Sequence, residues 1–231
     1  MIKSFLILIS FSILLFSSQQ IIFVLAEDFN TTKAKLSCIE DSKLVCGNID
    51  VNLGRNGLGW GIGEVQLQQE AKEPLKYEGD GKAPAGVFKL SNIFGYSQKS
   101  DYNLPYLYAD KNLICVDDTH SNFYNQLIMA NGDEKSFENM RRDDIQYKYG
   151  VVVQHNKNGI KGRGSCIFLH IQKGVNAPTA GCISMKEKDL KKIIKWLDKR
   201  KSPILVQIPQ KSLAEIYQLF PELKDALSGG N

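Results

Sequence analysis

Across residues 66–172, short apolar or alternating runs are separated by clusters of Gly, Pro, Asn and Asp, and hardly any stretch has the length or period of a helix. That punctuation confines this part of the chain to a mainly β fold. The clearest strands cover residues 87–90, 113–116, 151–153 and 167–171. The last of these, Ile167-Phe168-Leu169-His170-Ile171, is apolar on both faces, which predicts an interior strand. After Cys182 the period changes: Leu190, Ile193, Ile194 and Leu197 recur at helical spacing, and Ser184 with Glu187 reads as a capping box. The pattern predicts one amphipathic helix of about 15 residues, ended by Pro203. A closing strand over 204–208 and a terminal helix over 213–227, broken at Pro221, follow.

The 231 residues are 43% hydrophobic, enough for one domain with its own core. Residues 4–26 carry no charge. Lys3 ahead of this apolar run, and Val24-Leu25-Ala26 ahead of Glu27, read as a secretory signal over residues 1–26 with an A-x-A-like cleavage site. The alternative is an uncleaved anchor, since the run is long enough to span a bilayer, although Ser17-Ser18-Gln19-Gln20 interrupts it. Either reading places the body of the protein in the periplasm or cell envelope, with an inner-membrane tether if the leader is kept. Without Lys3 the net charge of +4 becomes +3, too small a surplus to indicate nucleic acid as a partner.

Five cysteines, Cys38, Cys46, Cys115, Cys166 and Cys182, leave at least one thiol unpaired in an oxidising compartment. Cys38 and Cys46 lie close together in a polar stretch and are expected to close a small loop. Cys115 and Cys166 sit in apolar, strand-like runs, where each reads as a small buried hydrophobe.

A thiolate attacking an acyl carbon needs a base for its proton and donors for the oxyanion that forms. His170 lies within the most apolar strand, and alternation puts its side chain on the face that carries Phe168 and Cys166. Cys182 follows Gly181 directly ahead of the expected helix, where unpaired N–H groups and the helix dipole would lower a thiol pKa. The plainer alternatives are a hydrogen-bonded core histidine and a buried turn cysteine. Spacing alone leaves an enzyme and an inert domain both open.

Phe168-Leu169-His170-Ile171 followed by Pro178-Thr179-Ala180-Gly181-Cys182-Ile183 resembles the active-site signature of the YkuD-type L,D-transpeptidases, a histidine followed by [ST]-H-G-C. The segments Arg55-Asn56-Gly57-Leu58-Gly59-Trp60-Gly61, Glu78 to Phe88, Phe94-Gly95-Tyr96, Val116-Asp117-Asp118 with Tyr124-Asn125, and Gly162-Arg163-Gly164-Ser165 also look like elements of one branch of that family. The resemblance implies a YkuD-like β-sandwich catalytic domain over residues 54–210. It is preceded by an N-terminal segment, 27–53, and followed by a C-terminal helix and tail, 211–231. It further implies peptidoglycan stem peptides as partner and substrate, with no cofactor and no metal. Carried over by position, Cys182 is the nucleophile, His170 its base, and the N–H groups of Gly181 and Cys182 the oxyanion donors. An amine would resolve the acyl-enzyme to a cross-link or an exchanged terminal residue, and water would make the protein an L,D-carboxypeptidase. This chain departs from the pattern in having Ala180 where the family has its second histidine, and in a shorter interval from His170 to Thr179. The branch with a Thr-Ala-Gly-Cys turn is the one it resembles.

Arg163 is expected to pair with a stem-peptide carboxylate, and Ser165 and Thr179 to orient His170 or the substrate; ordinary turn roles are the alternatives. Asp117, Asp118, Tyr124 and Asn125 read either as a cleft lining or as a solvated turn. Gly79-Asp80-Gly81-Lys82 lacks the spacing of a phosphate loop and reads as a tight turn. His120 and His155 are assigned to the surface. A zinc site has no C-x-x-C or H-x-x-x-H spacing to support it. A papain-like hydrolase would have its cysteine before its histidine. A catalytically silent wall-binding domain is the non-enzymatic alternative.

Overall fold

The computed structural model describes residues 19–228. The first described elements are strands β1 (Gln20–Ala26), β2 (Lys33–Glu40), β3 (Lys43–Asn52), β4 (Leu58–Trp60), the long β5 (Ala83–Gly95) and β6 (Tyr106–Tyr108). A small group follows: β7 (Leu113–Val116), β8 (Leu127–Met129) and β9 (Phe137–Asn139). Then come β10 (Tyr149–Val153), β11 (Phe168–Ile171), β12 (Ile183–Met185), helix α1 (Glu187–Trp196), β13 (Ile204–Pro209) and helices α2 (Leu213–Leu219) and α3 (Pro221–Ser228).

The principal sheet runs β10-β11-β12-β3-β2-β1-β13-β5-β4, with β6 beside β5. β5 pairs with β13 through residues 86–89 and with β10 through residues 90–95, so the sheet closes on itself. Closure satisfies backbone groups that open edges would expose. The result is the mainly β, sandwich-like body expected from the punctuation of the sequence. Its core is aliphatic, with Ile21, Ile22, Leu36, Leu53, Val151, Leu169, Ile183, Leu205 and Ile208 among the buried side chains. β11 lies between β10 and β12, the interior place that its two apolar faces demand.

Residues 20–26, read from sequence as the end of a leader, are a strand within this sheet. β1 pairs antiparallel with β2 and parallel with β13, and Ile21, Ile22, Phe23 and Val24 are buried. Each such side chain contributes about 1.5–3 kcal/mol on burial, against a net stability of about 5–15 kcal/mol for a whole domain. A cleavage at Ala26 would take this strand from the sheet; residues 1–18 of the expected leader lie outside the described residues. β2 and β3, from the expected N-terminal segment, are strands of the principal sheet, and β3 pairs with β12 through Asn52 and Ser184, two residues after Cys182.

The expected capping box is absent. Ser184 is part of β12 and the residue ahead of α1 is Lys186, which makes no side-chain cap. Glu187 and Asp189 in the first turn favour the helix electrostatically instead. The helix has 10 residues rather than about 15, because the chain turns out at Leu197 and Asp198 initiates a separate 3-10 turn. Pro203 therefore precedes β13 rather than ending the helix. The terminal helix is broken at Pro221 as expected, and Ile216, Leu223 and Ala226 pack into the core.

Cys38 and Cys46 are bridged, as expected for a short β2–β3 hairpin. Cys115 and Cys166 are also bridged, where independent buried thiols were expected. That bond ties the three-stranded sheet β8-β7-β9 to the loop entering β11, a long-range pairing that sequence spacing does not reveal. Among the described residues, Cys182 is the one cysteine left unbridged.

Candidate active site

His170 and Cys182 line one cavity of about 400 Å³, together with Glu138, Arg142, Tyr147, Lys173, Thr179 and Ser184. Strand register explains the meeting. β11 and β12 are parallel neighbours, with Leu169 opposite Ile183 and His170 opposite Ser184. Cys182, one residue before β12, consequently lies alongside Phe168, whose N–H donates to the Cys182 sulfur at 3.3 Å. The thiol in turn donates to the Cys166 carbonyl at 3.4 Å.

The imidazole is 5% exposed. Its Nδ1 lies 2.8 Å from the Ile171 carbonyl. A carbonyl only accepts, so Nδ1 carries the proton and Nε2 is left as the basic nitrogen. Burial holds this histidine down to about 4, so the ring is neutral near neutral pH. Tyr147 packs edge-on between Phe168 and His170, with ring centroids 5.6 and 5.3 Å away.

The thiol is not the dipole-activated group that the sequence suggested. Cys182 precedes a strand rather than a helix, and burial pushes its thiol up to about 12, with the Glu138 carboxylate adding to the rise. The Phe168 N–H opposes that rise without overcoming it. The resting pair is therefore neutral thiol and neutral imidazole.

The 178–181 turn is fixed from both sides. Thr179 N–H donates to the Leu53 carbonyl and its carbonyl accepts from Arg55 N–H, both at 2.8 Å. The Thr179 hydroxyl donates to the Cys182 carbonyl at 2.6 Å and accepts the Gly181 N–H at 3.1 Å. The Thr179 hydroxyl, expected to orient His170 or the substrate, thus serves the turn, the ordinary role given as the alternative, while the Gly181 N–H, expected to serve an oxyanion, is occupied. Gly181 has φ +153°, and a Cβ there would stand 3.0 Å from the Lys82 carbonyl oxygen, so the turn requires glycine.

Arg163 and Ser165 lie elsewhere. Arg163 stacks over Tyr77, with its guanidinium carbon 5.2 Å from the ring centroid, and donates to the Lys76 carbonyl. Ser165 donates to the Glu78 carboxylate at 2.7 Å, as does the Tyr124 hydroxyl. Tyr124 and Asn125 likewise serve the loop before β11 rather than the Cys182 cavity. His155, assigned to the surface, is 1% exposed; its Nε2 lies 2.8 Å from the Arg163 carbonyl and its Nδ1 accepts the Ile62 N–H. His120 is exposed, in keeping with its assignment.

The arginine that does line the cavity is Arg142, paired through two nitrogens with Asp144 and placed over the Tyr147 ring, 5.0 Å from its centroid. Glu138 accepts the Tyr147 hydroxyl at 2.6 Å, and burial pushes its carboxyl above the ordinary range. None of Glu138, Arg142 and Tyr147 stood out in the sequence. The Arg141-Arg142-Asp143-Asp144 run reads as a solvated charge cluster, and only the pairing of β10 with β11 brings the segment before β10 over His170. Among the described residues, no group of three or more His, Cys, Asp or Glu side chains is arranged to hold a metal ion.

A family model described as the L,D-transpeptidase catalytic domain, YkuD, matches residues 27–208. The match includes both the β2–β3 hairpin and the whole of the cavity. Comparison with curated proteins gave no match, and comparison with solved structures gave none either.

Proposed function

Since the chain belongs to the YkuD family of L,D-transpeptidase catalytic domains, we propose that it is an exported cysteine acyltransferase acting on peptidoglycan stem peptides, with Cys182 as nucleophile and His170 as its base. The reading is carried by one juxtaposition: an unbridged thiol and a histidine with a free Nε2 open into the same cavity.

His170 Nε2 takes the thiol proton as the sulfur adds to a stem-peptide carbonyl carbon. The Cys182 N–H is the donor we assign to the oxyanion, because Thr179 occupies that of Gly181. Collapse breaks the C–N bond, and the imidazolium returns its proton to the departing terminal D-residue. A thioester remains on Cys182. The amine of a second stem then adds to it, gives its proton to His170 and, as the thioester opens, restores the thiol. Arg142 and Lys173 on the cavity rim supply positive charge for stem-peptide carboxylates.

The test is incubation of the domain with defined muropeptides, with products identified by mass spectrometry. Cross-linked or exchanged products, a thioester-sized mass increase on the Cys182 peptide and loss of both in Cys182→Ser are expected. Unchanged turnover in Cys182→Ser would overturn the mechanism, and trimmed peptides alone would reassign the second step to water.

A further inference from the structure

The Cys182 sulfur, which lines the same cavity as His170, is held by the strand beside it. Phe168 N–H donates to it and the Cys166 carbonyl accepts from it, so two backbone groups two residues apart fix its position. Cys166 does not hold that carbonyl in place by itself. Its φ is +55°, a left-handed conformation that a non-glycine residue keeps only when its surroundings enforce it.

Two restraints do so. Cys166 is bonded to Cys115 on β7, and its N–H donates to Asn125 Oδ1 at 2.9 Å. The other end of the Asn125 amide donates to the carbonyls of His155 and Asn156, both at 2.8 Å. Asn156 then donates to the carbonyls of Ile160 and Gly164. The whole loop from β10 to Cys166 is therefore cross-braced, with its last residue against the thiol. Cys115, Asn125, His155 and Cys166 line a separate cavity of about 370 Å³, so neither restraint is part of the space into which Cys182 and His170 open.

We propose that the Cys115–Cys166 disulfide and Asn125 are positioning elements for the nucleophile: by fixing the Cys166 carbonyl, they make acyl transfer at Cys182 depend on a disulfide to which Cys182 does not belong. The inference rests on Cys182 being the nucleophile, and it carries a sign. An acceptor for S–H stabilises the neutral thiol, so freeing the carbonyl lowers the thiol pKa. It also releases the sulfur from its alignment, which slows the chemical step. Greater thiol reactivity accompanied by weaker catalysis is not what simple loss of packing near the site produces.

The experiment compares Cys115→Ser/Cys166→Ser and, separately, Asn125→Ala with the wild-type chain. Cys38→Ser/Cys46→Ser serves as a control for losing a disulfide remote from the thiol. The pH dependence of iodoacetamide alkylation on the Cys182 peptide and the turnover of a defined muropeptide are measured on samples whose cooperative melting shows them folded. Expected are alkylation about three- to tenfold faster at fixed pH, with the midpoint moved down, and kcat lower by roughly tenfold or more. The control should change neither. An unmoved alkylation midpoint, or turnover equal to or above wild type, would overturn the proposal. If the double variant fails to melt cooperatively, Asn125→Ala, which retains the disulfide, decides between these outcomes. Alkylation is read without substrate. A moved midpoint in a chain whose wild type is inactive on muropeptides would therefore overturn the assigned reaction while supporting the positioning.

Discussion

Tyr147 stands edge-on to His170, with ring centroids 5.3 Å apart, while its hydroxyl donates to Glu138 at 2.6 Å. One residue therefore packs against the His170 ring and couples it to a carboxyl on β9. Tyr147→Phe keeps the ring and removes the coupling. Stability should fall by about 1–3 kcal/mol, as expected when a buried acceptor loses its donor. Urea melts of the two proteins check this, and equal stability would show that the Tyr147–Glu138 hydrogen bond contributes nothing net.

His170→Gln retains a polar planar group without a base. Turnover should drop on the order of 10²- to 10⁴-fold, with little change in melting. Equal turnover in the two proteins would transfer the role of base to another group.

Burial holds His155 and His170 down to about 4, against an ordinary value of 6.5. The unfolded chain accordingly binds protons that the folded chain refuses. The stability associated with each histidine is intact above about pH 6.5 and is lost as the pH falls toward 4, by on the order of 3 kcal/mol apiece. Glu138, raised by burial, works in the opposite sense and loses its stabilising contribution as the pH rises. Urea midpoints measured from pH 7.5 down to 4 should decline, and a flat profile would contradict two buried neutral imidazoles.

A chain beginning at Gln19 keeps β1, and one beginning at Glu27 lacks it. The first should unfold cooperatively. The second should fail to form a cooperative fold, because Ile21, Ile22, Phe23 and Val24 leave the core together. Circular dichroism and thermal melts of the two proteins distinguish these outcomes, and equal melting would show β1 to be dispensable.

Much of the scaffold was legible in the sequence. Strands 113–116 and 167–171, the β13 run and the break at Pro221 announced themselves through period and punctuation, and His170 and Cys182 through an active-site signature. What escaped depended on long-range pairing. An apolar segment reads the same whether it crosses a membrane or fills a sheet, and the strand formed by residues 20–26 emerges only from its pairing with β2 and β13. The bond between Cys115 and Cys166 spans 51 positions. Arg163 and Arg142 are both loop arginines, and the fold placed the second over the cavity and the first on Tyr77. The dipole argument for Cys182 failed because three residues of strand intervene before the helix.

At the middle of the sheet, Ile21 is opposite Ile204 and Ala26 opposite Pro209, so the first of the described strands mates with the last. A ribosome must carry on as far as Pro209 before this seam can be sewn, and until then β1 has only its hairpin neighbour β2 to cover it. Joining ends so distant in the chain comes late, because the entropy of closing the intervening loop is lost before the seam repays it.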